Sequence, residues 1–288
     1  MTVVLATSST LPALDVDDQR LYQALQQANV PAEIAVWDDP SVDWRRFELC
    51  VIRSTWDYVP KRQQYVEWAH RVASQTVLWN PAPLIEWNTT KSYLRDMETQ
   101  GIPIVDTEWL TQGTATDFLG LFQQRGWDDV VIKPVISASG KDTFRVTPGT
   151  FADQQADIEA LLTQRDLMMQ PFMRSVLTTG ELSLLFFNGT FSHALSKIPA
   201  QHEFRVHEHL GGTTRRYQPT DEQLAFAQRV FNKLPWPTLY ARVDLLLDET
   251  GNIRLTELEL TEPSMYLAYD PDSPARFAQA IQARLENR

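Results

Sequence analysis

The chain has 288 residues, 43% hydrophobic and 22% charged, enough to bury a large core without disulfide or metal staples. Its 26 Lys and Arg against 37 Asp and Glu give a net charge of −11, which argues against a nucleic-acid-binding face. The single cysteine, Cys50, excludes an internal disulfide and a multi-thiolate zinc site.

No apolar run approaches the ~18 residues of a membrane span. The N-terminus lacks the basic start and longer apolar core of a signal peptide, so a cytoplasmic protein is expected. Strand and helix alternate over the first eighty residues. Val3 to Ala6, Ala32 to Trp37 and Leu49 to Arg53 read as strands. A helix starts near Asp17 with Leu21, Leu25 and Ala28 on one face; another runs from Lys61 to Ser74 with Tyr65, Trp68, Ala69 and Val72 inward. The alternation predicts a Rossmann-like parallel αβ domain over residues 1–85, with ligands at the carboxyl ends of its strands. Two loops lie there, Thr7 to Asp18 and Arg53 to Tyr58.

Asn80-Pro81-Ala82-Pro83 marks a boundary, and a helix is expected from Asn88 to Thr99, stopped by Gly101. Strands are expected at Asp129 to Val135, Thr143 to Val146 and Leu167 to Phe172, with a helix from Asp153 to Thr163. Two hairpins follow: Glu181 to Phe187 with Thr190 to Ile198 about Asn188-Gly189, and Leu239 to Leu247 with Ile253 to Leu260 about Asp248 to Asn252. Ser273-Pro274 opens a last helix carrying Phe277, Ile281 and Leu285. The expected fold is α/β followed by α+β, divided at 1–85, 86–175 and 176–288.

The second hairpin is the most informative segment. Residues two apart on a strand share a face, so Glu257 and Glu259 point the same way. A four-residue turn from Glu249 to Asn252 sets Asp244 opposite Glu257. Carboxylates that close repel unless a cation sits among them, and magnesium takes hard oxygen ligands. An acidic strand face in water is the plain alternative; it is weakened because Arg242 and Asp244 stand in an otherwise apolar strand.

Lys133, inside Val-Val-Ile-Lys-Pro, needs a partner or a bound anion. Lys141 follows the only glycine of Ser137-Ala138-Ser139-Gly140-Lys141, a loop whose N–H groups can cradle phosphate or form an ordinary turn. Met168 to Phe172 offers soft apolar side chains, suited to a purine or to a core. Lys197 and Arg205 stand near Gly211-Gly212-Thr213, on hand for an anion or on solvated strands. Arg53 either anchors a substrate carboxylate or bridges to Asp57 or Asp38.

Taken in order, these residues, with Lys91 before them, resemble the ATP-grasp superfamily from about Asn88 to Pro263. Glu203-Phe204-Arg205 with Gly211-Gly212-Thr213 is similar to the glutathione synthetase and ribosomal-protein glutamate ligase branch. Trp37-Asp38-Asp39-Pro40, Arg53 to Tyr58 and Glu257 to Ser264 resemble the cycloserine synthetase-like group, which closes or joins small amino-acid derivatives. The resemblance implies a two-part ATP-grasp fold after the αβ domain, a lid over 86–175 and a magnesium-bearing subdomain over 176–288.

It also implies ATP and Mg2+ as cofactors. Lys91 and Lys133 would hold phosphates, with Ser139, Gly140 and Lys141 covering them. Met169, Gln170 and Phe172 would meet adenine, and Glu181 ribose. Asp244, Glu257 and Glu259 would carry magnesium, while Arg242, Arg205 and Lys197 serve catalysis. Arg53, Ser54, Thr55, Gly211 and Gly212 would face the substrate. Two departures stand out: Glu259 replaces the usual asparagine, and the loop is poor in glycine.

The expected activity is a ligase that turns a small amino-acid-type carboxylate into an acyl phosphate for attack by an amine, ring closure being one version. Partners are small molecules, with no nucleic acid or membrane, and a homodimer is a further expectation. An inactive ATP-binding regulator on the same scaffold is the alternative. A metal site around His202, Glu203, His207, Glu208 and His209 lacks helical zinc spacing, and a dinucleotide oxidoreductase lacks glycine between Ala6 and Leu14.

Overall fold

Three sheets follow one another in the computed structural model, which describes residues 1–286. The first contains β1 (Val3–Thr7), α1 (Asp18–Gln27), β2 (Ala32–Val36), β3 (Leu49–Ile52), α2 (Arg62–Ala73) and β4 (Val77–Trp79). Its order is β2-β1-β3-β4 and every pairing is parallel. Both faces are covered, which is why β1 and β3 are buried along their whole length. On α2, Tyr65, Trp68, Ala69 and Val72 are buried as expected, packed beside Trp37 and Trp44. On α1 the inward residues are Leu21, Ala24 and Leu25; Ala28 sits past the last turn and is exposed.

α3 (Ala82–Asn88) and α4 (Tyr93–Thr99) replace the single helix expected from Asn88 to Thr99. The break has a local cause. The Asn88 carboxamide donates to Leu258 O at 2.7 Å and accepts from Leu260 N at 2.8 Å, and Lys91 N donates to Val135 O at 2.8 Å. These bonds compete with helix continuation. A smaller sheet then forms from β5 (Glu108–Leu110), α5 (Phe118–Arg125), β6 (Val130–Pro134), β7 (Phe144–Val146), α6 (Phe151–Gln164) and β8 (Leu167–Pro171). Its order is β5-β8-β6-β7, all antiparallel.

The third sheet holds β9 (Glu181–Phe187), β10 (Thr190–Ile198), β11 (Thr213–Tyr217), α7 (Asp221–Phe231), β12 (Tyr240–Leu247), β13 (Ile253–Glu259) and α8 (Ser273–Glu286), with strand order β11-β10-β9-β12-β13. Asn188 and Gly189 have φ of 49° and 73°, the left-handed pair a two-residue hairpin requires. Leu84, Tyr93, Leu94, Met97, Ile102 and Ile104 share a core with β9, β12 and β13. Residues 84–104 thus pack on the five-stranded sheet, while the smaller sheet keeps its own core. In turn, α8 packs on α1 and on β9 and β10 in a core shared by the first and third sheets. No helix among the described residues is long and apolar enough to cross a membrane.

Candidate active site

A cavity of about 710 Å³ opens where the three sheets meet. The acidic hairpin forms its floor. Asp244 lies opposite Glu257, but not through a four-residue turn. Leu247 pairs with Ile253, leaving the five-residue turn 248–252, and a bulge at Thr256 restores the register. One oxygen each from Asp244, Glu257 and Glu259 can come within 4.8 Å of the others.

Cations surround this floor. The Arg242 guanidinium donates to Asp244 at 2.9 and 3.0 Å, and also to Glu259. Lys91 Nζ lies 2.8 Å from Glu257 and 2.9 Å from Ser137 O. Lys197 Nζ lies 2.6 Å from Glu181 and 3.7 Å from Asp244. Lys133 lines the cavity with no ion-pair partner within 4 Å among the described residues. Burial pulls its ammonium pKa down despite Glu257.

Burial alone would raise the Glu257 carboxyl, yet Lys91 and Lys133 hold it below the ordinary range. Arg242 and Lys197 do the same for the fully buried Asp244. Glu259 differs: burial, with repulsion from Glu257 and Asp244, pushes it up to about 7 against the pull of Arg242. Glu262, three residues on, is pushed up to about 8 by burial and by Glu259. The arrangement fits magnesium, since Glu257 and Glu259 line the cavity with Asp244 converging behind them, bonded to Ser183 and Arg242, and cations stand beside all three. Arg242 answers the extra charge that Glu259 brings.

The opposite end of the cavity is apolar. Phe172, Val176, Val206 and Leu246 form one buried cluster there, with Val131 and Met173 against it. Gln170 and Phe172 line this end, and Gln170 donates to Thr107 at 2.9 Å. Met169 turns the other way into the core of the smaller sheet. Ser139 and Gly140 line the cavity, whereas Lys141 is exposed and off its wall. Arg205, paired to Glu203 at 2.8 Å, reaches Gly140 O at 3.4 Å.

At the substrate end several expectations are corrected. Arg53 is 0% exposed, donating to Asp18 at 2.9 Å and Pro263 O at 2.6 Å, with the Tyr240 and Phe277 rings beside it. It pairs with neither Asp57 nor Asp38; Lys61 takes both. Ser54 donates to Asp18 and Thr55 bonds Tyr65, both fully buried. Ser54 and Thr55 tie the αβ domain internally, Arg53 also ties it to the chain after β13, and none of the three reaches the cavity. Gly211 and Gly212 also lie off its wall: a Cβ on Gly212 would sit 2.5 Å from Val206 O, so this glycine serves loop packing. Asp17, Arg20, Trp56, Tyr58, Glu262 and Tyr266 form this end instead. Trp56, Tyr58 and Glu262 lie inside segments already conspicuous in the sequence; Val176 and Leu246 carried no signal distinct from core residues.

Residues 113–267, just over half of the chain, match the family model of the prokaryotic glutathione synthetase ATP-grasp domain. The chain belongs to the ATP-grasp ligase family. Residues 3–80 match the N-terminal domain of D-cycloserine synthetase DcsG. The cycloserine biosynthesis protein DcsG of Streptomyces lavendulae is 30% identical over 297 residues, covering 99% of both chains. A crystal structure of D-cycloserine synthetase DcsG superposes with a TM-score of 0.86 at 29% identity, over 99% of this chain and 100% of that one. D-alanine–D-alanine ligase from Bacillus anthracis, at 11% identity and a TM-score of 0.69 over 100% and 99% of the chains, shares the fold. This ATP-grasp ligase is therefore an ATP-dependent enzyme with ATP and Mg2+ as cofactors, related to enzymes of C–N ligation.

Proposed function

We propose that this ATP-grasp ligase converts the carboxylate of a small amino-acid-type substrate into an acyl phosphate and passes it to an amine, releasing ADP and phosphate. One observation carries the reading: Lys91, Lys133 and Arg242 face Glu257 and Glu259 in a single cavity that ends in an apolar pocket. In this reading the adenine enters among Phe172, Val176 and Leu246, and the phosphates extend toward Lys91 and Lys133 under Ser139 and Gly140. Mg2+ held by Asp244, Glu257 and Glu259 would neutralise phosphate charge.

The substrate carboxylate oxygen attacks the γ-phosphorus as the bond to ADP breaks. The amine nitrogen then adds to the acyl carbon, phosphate leaves, and the nitrogen loses its proton to solvent. Arg242 and Arg205 oppose the charge that builds on the transferred group and the tetrahedral intermediate, with Lys197 holding Glu181 and Asp244 in place. The chain positions and neutralises, and no side-chain nucleophile is required. Residues 1–85 supply the substrate end together with Glu262 and Tyr266, the smaller sheet within 86–175 the lid, and 176–288 the magnesium site, with the helices of 84–104 packed on its sheet. Similarity to D-cycloserine synthetase supports an intramolecular version, with both reacting ends in one molecule.

A coupled ADP-release screen over amino acids and their ureido and hydroxamate derivatives tests the proposal. One ADP and one phosphate per product are expected, with turnover falling at least ~100-fold in Arg242→Ala. ADP release without consumption of any acid, or a loss below about threefold, would overturn it.

A further inference from the structure

At the substrate end of the cavity one half-buried acid, Glu262, stands without an ion-pair partner among the described residues. Asp17 accepts from Leu267 N and Ala268 N, each at 2.8 Å. Asp15 accepts from Asp17 N, and Glu208 from the Tyr269 hydroxyl. Glu257 and Glu259 have Lys91 and Arg242. Glu262 lines the same cavity but has no Lys or Arg within 4 Å among the described residues, and it stands outside the carboxylate group that converges for a metal.

Its surroundings are nonetheless fixed. The Tyr58 hydroxyl stands beside the Glu262 side chain, on a ring 5% exposed and stacked on Tyr65 at 4.7 Å. The backbone is held from both sides, since Trp56 Nε1 donates to Glu262 O at 2.9 Å and Arg53 donates to Pro263 O. A carboxylate held this firmly, half-buried beside Glu259, is costly unless a cation meets it. An ammonium group suits the place: it is compact, carries three donors, and is favoured by aromatic walls such as Trp56 and Tyr58.

We propose that Glu262, positioned by Tyr58 and Trp56, binds the ammonium group of the substrate and selects free amino acids or amino-acid derivatives over acylated or deaminated ones. This rests on the ligase reading above and specifies its substrate. It also gives Trp56-Asp57-Tyr58 a purpose separate from the domain-holding role of Arg53, Ser54 and Thr55.

The test uses the full chain, calorimetry and two probes, D-cycloserine and N-acetyl-D-cycloserine, each titrated in the presence of MgADP. The first carries a primary amine and the second keeps the ring without that charge. D-cycloserine should bind at least ~10-fold more tightly than its acetylated form, about the worth of one charged hydrogen bond. Glu262→Gln should remove that preference, and Tyr58→Phe should weaken it, while MgADP affinity stays within about threefold in both variants. Equal binding of the two probes, binding of neither, or an undiminished preference in Glu262→Gln would overturn the assignment. Failure of the wild-type chain to bind MgADP would sink the ligase reading instead.

Discussion

Asp244 touches Ser183, Arg242 and Lys197 together and exposes none of its surface. Asparagine in its place keeps the shape and removes the charge, leaving two buried cations with one anion fewer. Asp244→Asn should therefore lose stability as well as turnover, by about 3 kcal/mol in chemical denaturation. An unchanged midpoint would contradict its role in holding Arg242. Glu262 makes a separate, pH-dependent prediction. Its carboxyl is raised from the ordinary 4.5 to about 8, by burial first and Glu259 second. The folded chain then binds more protons than the unfolded chain between those values, so this group costs stability as pH rises through that window. Glu262→Gln removes the dependence. The melting temperature of the variant minus that of wild type should climb from about pH 4.5 to 8 and level off above it. A flat difference would contradict the assignment of this shift to Glu262.

At the scale of elements, the loop between β6 and β7 and the segment before β11 meet over the cavity. Gly140 has φ 65°, and a Cβ there would lie 3.0 Å from Arg205 Cδ and 3.1 Å from His207 Cε1. Gly140→Ala should raise the KM for ATP about fivefold, the worth of ~1 kcal/mol of left-handed backbone strain, with little change in melting temperature. An unchanged KM would detach this loop from nucleotide binding. Asp244 does face Glu257 as expected, but only because a longer turn and a bulge offset one another. Elements with strong local signals, the Asn188-Gly189 hairpin and the inward face of α2, were legible in the sequence. The bulge at Thr256 was not, because one extra residue in a strand leaves no mark in alternation. The break at Asn88 was also hidden, since it depends on bonds to residues 170 positions away. No helix is expected from the sequence at α5 or α7, although a capping Asp117 with terminal Gly126 and a Thr220–Gln223 capping box could have marked them.

An apolar core joins the first and third sheets, and buried polar side chains in segments with loop-like or ligand-like sequence reinforce it. Asn80, in a segment that reads as a plain boundary, donates to Tyr240 O and Leu260 O and accepts from Leu239 N. Arg53 links β3, Asp18 on α1 and the chain after β13, with α8 covering it. Arg53→Ala should cost about 3–5 kcal/mol because it leaves Asp18 buried without its partner. Intact stability with a raised substrate KM would return Arg53 to the binding site. Burial of this kind is set by tertiary packing, which explains why an arginine at a strand's carboxyl end looked like an anchor.

The divalent-ion site proposed at Asp244, Glu257 and Glu259 lies beneath ATP in the cavity between the smaller and larger sheets. Mn2+ titration followed by electron paramagnetic resonance, with ADP present, measures this without turnover. Mn2+ affinity should fall at least ~10-fold in Glu257→Gln relative to wild type. Equal affinity in the two proteins would contradict it.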